Sequence, residues 1–301
     1  MVCRNGEEPR FLMETTEYDL LSFSESRRAT MDTGRLGLSK HYMFCLLEVD
    51  VTRARQELRL LRRSGQPVSF TAWIVKTIGD SVAANTYVHA ASFGRNRLVM
   101  FRDADIAIPV ESSVGEGTAP LPLLIKATNR KSMQEIDREI QAAVSRRIED
   151  ERDYILSSHS FSRTALRLYY RLPQWLRVLA LKVLVADPMR ARRISGTVTV
   201  TTVNAIGESS GWILPTRSWH NLLFALGTIS KKPWVVKGEV KIREILNLTV
   251  AFNHDVVDGA PARRFMQHLV RRMEAGTAGA GQRPPARTAE PRAGDRGLPS
   301  A

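Results

Sequence analysis

Hydrophobic positions change period several times along the chain, and each change marks an element. From His41 to Val49, Met43, Cys45, Leu47 and Val49 alternate with Tyr42, Phe44, Leu46 and Glu48, the two-residue period of a strand. Asp50 or Thr52 can then cap a helix ending near Gly65, and Ser69 opens a second helix in which Trp73, Ile74, Thr77, Ile78 and Val82 recur at helical spacing. Arg97–Phe101 and Asp105–Val110 read as strands separated by the polar pair Arg102-Asp103. Ser132-Met133-Gln134-Glu135 has the form of a capping box, and Ile136, Ile140, Val144 and Ile148 continue its apolar stripe, which predicts a helix over 132–150. Strands are expected at 196–203, 221–229 and 245–254. A final helix beside Pro261 would bury Phe265, Met266, Leu269, Val270 and Met273. The mixture points to an α/β fold.

Composition adds a globular profile, with 43% hydrophobic and 25% charged residues in 301. The net charge of +13 first suggests a polyanionic partner, but it is concentrated. Arg163, Arg167, Arg171, Arg177, Lys182, Arg190, Arg192 and Arg193 face a single acid, Asp187, between Ser160 and Arg193. With no phosphate-binding glycine loop and no groove-reading helix, nucleic acid is not expected. Two cysteines, Cys3 and Cys45, make neither a disulfide framework nor a four-ligand zinc site, so no metal is expected. The first residues lack a leader pattern and no long uncharged apolar stretch occurs, giving the expectation of a cytoplasmic protein. Residues 276–301, mainly Gly, Ala, Pro, Arg and Thr, read as a disordered tail.

Chemistry concentrates in 246–259. Leu246, Leu248, Val250, Phe252 and His254 share one strand face, so the imidazole stands where an apolar face runs out. Apolar surroundings keep a histidine neutral, as a general base must be. The competing reading is a buried histidine bonded to backbone. Asp258 follows four residues later, before Gly259, which would permit a tight turn. Thr197, Thr199 and Thr201 share a face of an earlier strand, and Thr201 is the last before the 204–207 loop.

The stretch from Phe252 to Phe265 resembles the His-x-x-x-Asp-Gly signature of the catalytic domains of 2-oxoacid dehydrogenase acyltransferases, which share a fold with chloramphenicol acetyltransferase. Further segments resemble the same family in order: Ser26-Arg27-Arg28-Ala29, Leu47-Glu48-Val49-Asp50-Val51-Thr52, Ile106-Ala107-Ile108-Pro109-Val110-Glu111, Lys131-Ser132-Met133-Gln134-Glu135-Ile136, and Gly196 through Thr201 to Gly207. The resemblance implies a chloramphenicol acetyltransferase-like two-layer sandwich, a mixed sheet with flanking helices, over residues 20–275 after an N-terminal extension of 1–19. It implies an acyltransferase in which His254 is the general base, Thr201 donates to the oxyanion (Thr199 and Thr202 being rivals), and Asp258 orients. Coenzyme A thioester is the implied acyl donor, a small-molecule hydroxyl or amine the acceptor, and a homotrimer the implied assembly, with His254 and Thr201 drawn from different chains.

No lipoyl domain precedes the matching region, which favours a freestanding enzyme of specialised metabolism, such as tetronate O-acetylation. The alternatives are a dihydrolipoamide acyltransferase core, or a non-catalytic trimeric scaffold of the same fold. Two departures stand out. The family's Asp-His-Arg is Asn253-His254-Asp255 here, and about 45 residues (roughly 150–195) replace a short connection. Within them, Pro173 should break two amphipathic helices, with Trp175, Leu176 and Leu179 packed inward and Arg163, Arg167 and Arg171 outward. Such a pair could roof an acceptor pocket, meet an acidic carrier protein or lie on a membrane surface.

Overall fold

The computed structural model describes residues 23–114, 117–145, 163–202 and 209–280. The expected N-terminal extension and most of the expected tail lie outside these. Side-chain caps start several helices. Ser24 Oγ accepts from the Arg27 amide ahead of α1 (Glu25–Gly37), and β1 (Tyr42–Asp50) ends on a carboxylate that accepts from Thr52 N, the first residue of α2 (Thr52–Arg63). Ser69 caps α3 (Phe70–Ala84). A small hairpin, β2 (Ala91–Phe93) and β3 (Arg97–Val99), precedes β4 (Ile106–Val114) and β5 (Gly117–Ile125). The Ser132/Glu135 capping box is present in full and starts α4 (Met133–Val144). Three short helices follow the next described residue: α5 (Arg163–Arg171), α6 (Gln174–Val185) and α7 (Pro188–Ser195). The chain closes with β6 (Val198–Thr202), β7 (Leu222–Val236), β8 (Glu239–Asn253) and α8 (Gly259–Glu274).

Six strands form one mixed sheet in the order β1-β8-β7-β6-β4-β5. β6 is parallel to both its neighbours, and the other pairs are antiparallel. Leu246, Leu248, Val250 and Phe252 of β8 meet Trp73, Ile74 and Ile78 of α3 and Phe265, Leu269 and Met273 of α8 in the main core, all buried. The alternate residues Asn247, Thr249 and Ala251 are buried too, on the opposite face. There Asn247 Nδ2 donates to Ser210 Oγ (2.8 Å) and Trp212 Nε1 to Leu47 O (3.0 Å), so the 209–219 segment lies across the sheet. Gly227 allows this approach: a Cβ on it would stand 2.4 Å from Gly211 O. The chain therefore has the expected two-layer α/β architecture with a mixed sheet.

β7 and β8 run well beyond the expected 221–229 and 245–254. Past Leu226, where pairing with β6 ends, β7 pairs among the described residues only with β8, so there Pro233 has no neighbour on its other side to deprive of a donor. The turn at the tip uses Lys237 (φ 53°) and Gly238 (φ 85°), both left-handed as a two-residue hairpin requires. The tail expectation needs a correction at its start. Residues Gly276–Gly279 form a 3₁₀ turn against α2, where Glu57 Oε2 accepts from Thr277 N (2.6 Å) and Thr277 Oγ1 (2.7 Å), and Gly276 O accepts from Trp73 Nε1. Hydrogen bonding to one carboxylate fixes a segment too poor in large side chains to fix itself.

Pro173 separates α5 from α6, but α6 is turned the other way from the expectation. Trp175, Leu179 and Val183 are exposed, Leu176 is half-buried, and the one fully buried side chain of the helix is Arg177. Its Nε and Nη2 donate to the two oxygens of Asp32 on α1 (2.7 and 3.1 Å), and Nη1 donates to Leu172 O (2.8 Å). Apolar residues occur nearly all round α6, so no stripe sets its orientation, and a buried two-pronged ion pair does. Arg177→Ala would leave Asp32, 1% exposed, as a buried unpaired carboxylate. The expected loss is about 3 kcal/mol of unfolding free energy, read from urea titrations at pH 7. No helix among the described residues is long and apolar enough to cross a membrane.

Candidate active site

β8 carries the chain to Asn253, and His254 N then donates to His41 O (2.7 Å), one step beyond the β1–β8 ladder. The amides of Val256 and Val257 turn back to Asn253 O, and α8 begins at Gly259. His254 and Asp258 lie at the two ends of this turn, both exposed. The apolar surroundings expected for His254 are therefore not supplied by its own chain, because the strand ends one residue before it. Asp258 holds the N-cap position of α8, but its side chain accepts no capping bond. Gly259 is not needed for a tight turn either: it is a first-turn helical residue with open space where a Cβ would point.

Around the turn the polar groups are ordered by amide pairs. Asn253 Nδ2 donates to Asn221 Oδ1 (3.0 Å) and Asn253 Oδ1 accepts from Asp255 N (3.3 Å). Asn221 Nδ2 donates to Ala90 O (2.7 Å), while Lys40 Nζ donates to Asn221 Oδ1 and to Trp219 O (2.5 Å). Asp255, the acid that replaces the family's arginine, pairs with His41 Nδ1 at 2.7 Å. That pair is exposed and contributes little to stability. Burial pulls the Lys40 ammonium down to about 8, against the opposing pull of Asp255.

The threonines of β6 divide. Thr197 Oγ1 is bonded to His89 Nδ1 (2.9 Å) and Thr199 Oγ1 to His220 Nδ1 (2.9 Å). Thr201, half-buried at the strand's end, has no hydrogen-bond partner for its hydroxyl among the described residues. The loop expected at 204–207 lies outside them. His89 and His220 were not singled out in the sequence. Their other ring nitrogens face carbonyls, His89 Nε2 toward Phe101 O and His220 Nε2 toward Ser195 O, and burial drives both rings down to about 4. They are neutral framework groups. A sequence signal existed only in retrospect: a threonine-rich strand needs partners for its buried hydroxyls.

Register places Thr201 and His254 far apart in one chain. Thr201 lies opposite Ala225, and Ala225 opposite Thr249, five residues before His254. At the usual rise and strand spacing, that is about 16 Å along the strands and about 10 Å across them. One chain therefore does not bring His254 to Thr201.

Residues 194–278 match the model of the 2-oxoacid dehydrogenases acyltransferase (catalytic domain) family. The dihydrolipoyllysine-residue acetyltransferase component of the pyruvate dehydrogenase complex of Acholeplasma laidlawii is 36% identical over 92 residues, 28% of this chain and 16% of the relative. The corresponding Staphylococcus aureus protein is 32% identical over 72 residues, 23% of this chain and 17% of the relative. The matched stretch thus spans about a sixth of these relatives' length. Among solved structures, a probable dihydrolipoamide acetyltransferase from Listeria monocytogenes superposes with a TM-score of 0.60 at 16% identity, covering 91% of this chain and 99% of that one. The dihydrolipoamide acetyltransferase of Azotobacter vinelandii gives 0.61 at 14% identity, covering 90% and 97%. Over residues 194–278, which hold Thr201, His254 and Asp258, the chain matches the acyltransferase catalytic domain in sequence, and over its described residues it has the fold of the dihydrolipoamide acetyltransferase cores.

Proposed function

We propose that the protein is an acyltransferase that moves an acyl group from a coenzyme A thioester to an acceptor hydroxyl, amine or thiol, in a site completed by two copies of the chain. The observation that supports it most is that the family match over 194–278 takes in Thr201, His254 and Asp258 together. In this reading the His254 imidazole removes the acceptor's proton as its heteroatom attacks the thioester carbonyl. The carbonyl oxygen becomes an oxyanion, to which the hydroxyl of Thr201 from a neighbouring copy donates. Collapse expels the coenzyme A thiolate, which takes the proton back from the imidazolium, so no covalent acyl-enzyme forms and no net proton is consumed. Asp258, beside the histidine in the same turn, has an orienting role. The register separation of Thr201 from His254 within one chain supports a second copy, and a trimer is the assembly proposed.

A small-molecule acceptor is the first reading, and the thiol of a dihydrolipoyl group is the second, favoured by the acetyltransferase relatives. The test is release of free coenzyme A thiol from acetyl-CoA in the presence of dihydrolipoamide or of a pool of hydroxyl and amine acceptors, with the acylated product identified by mass. Turnover only with dihydrolipoamide selects the second reading. Absence of turnover with every acceptor and with longer acyl-CoA donors contradicts the proposal. Light scattering at micromolar concentration should give three chains or a multiple, and a clean monomer would contradict the shared site.

A further inference from the structure

A cavity of about 350 Å³ lies between α1, the α6–α7 corner and the strand ends that lead into β6 and β7. Its volume is in the range of small-molecule sites. Lys182 and Arg192 of the inserted helices close one side, and Lys40, Trp219 and His220 form the other. Residues of α6 and α7 thus line part of this cavity.

Its walls are basic without being acidic. Lys40, Lys182 and Arg192 line it, and among the described residues no aspartate or glutamate does. Arg192 is partly neutralised from behind, since its Nε donates to Asp105 Oδ2 at 2.6 Å. Lys40 is different: its two hydrogen-bond partners are neutral oxygens, those of Trp219 and Asn221. Burial holds the ammonium at about 8 while Asp255, outside the lining, pulls the other way, and an anion in the cavity would add a counter-charge on the cavity side. The histidines add no charge, because His89 and His220 are both buried and neutral. The remaining lining mixes small polar groups (Ser39, Ser92, Thr197, Asn221) with an apolar and aromatic part, in which the Trp219 indole stacks on His220 near Leu36, Phe101 and Val185.

We infer that this cavity binds a small organic carboxylate with a compact apolar body, its carboxylate held by Lys40 and Lys182 and its body against Trp219. A phosphate alone would waste the apolar part of the wall, and a neutral molecule would add nothing to the counter-charge that Asp255 gives Lys40 from outside the cavity. The inference does not rest on acyl transfer, and binding is measured without an acyl donor.

The test is calorimetric titration of the full chain with benzoate and octanoate, with benzamide and inorganic phosphate as comparisons. At least one carboxylate should saturate, and bind about tenfold or more tighter than benzamide and phosphate, the factor expected for a charge-assisted hydrogen bond. Lys182→Ala, at an exposed helical position, should weaken that binding several-fold, and Lys40→Met tenfold or more with the melting transition retained. If Lys40→Met does not fold, Lys182→Ala decides alone. Failure of both carboxylates to bind at millimolar concentration, equal binding of benzamide or phosphate, or wild-type affinity in Lys182→Ala would overturn the inference.

Discussion

Replacing His254 with alanine should lower acyl transfer by about 10²–10⁴-fold, the usual contribution of a general base, and leave the fold intact. Retention of the fold follows from the structure: the imidazole is exposed, and the bonds that hold the turn run through the His254 amide and Asn253. Thr201→Ala should lower turnover by about 10²-fold or more with little change in substrate affinity, since its bond forms mainly to the oxyanion. Steady-state rates beside melting curves check both. Wild-type turnover in both variants would show that neither residue carries the chemistry.

Stability should fall steeply in mild acid. His89 and His220 stay neutral in the folded chain down to about pH 4, whereas an unfolded histidine takes up its proton near pH 6.5. Their contribution is therefore complete above about pH 6.5 and is lost as pH falls toward 4, where the folded rings protonate too. Between pH 7 and pH 5 the loss should be about 2 kcal/mol per histidine. Asp50, Glu57 and Asp103, held below the ordinary carboxylate range, begin to protonate only at lower pH; in this window His268, also lowered by burial, adds a loss of the same sign and Glu274, raised by burial, opposes it. Urea midpoints at pH 7, 6 and 5 measure it, and an unchanged midpoint would show that neither ring is neutral and buried.

What could be read from the residues was local and periodic. The Ser132/Glu135 box, the alternation of β1 and the apolar stripe of α3 each carry their own pattern, and each forms as read. The His254–Asp258 turn was legible because its residues are close in sequence. What was not legible depends on partners far along the chain. The orientation of α6 is decided by Arg177 meeting Asp32, 145 residues away. Gly276–Gly279 is held by Glu57, and the length of β7 and β8 by their pairing with each other beyond the rest of the sheet. The neutral surroundings expected for His254 failed for a related reason: a strand face read from one chain does not say where the sheet stops.

The shared site is the centre of the account, and it is tested most directly by mixing two inactive variants. His254→Ala and Thr201→Ala chains, each carrying a different affinity tag, are co-expressed, and the mixed assemblies are isolated through both tags. If each site takes its histidine from one chain and its threonine from another, some interfaces in the mixed assembly pair an intact His254 with an intact Thr201. Acyl transfer then returns to a substantial fraction, about a third, of the wild-type rate per chain, the statistical share for a ring of three. Mixed assemblies no more active than the two variants measured separately would contradict a site built between copies.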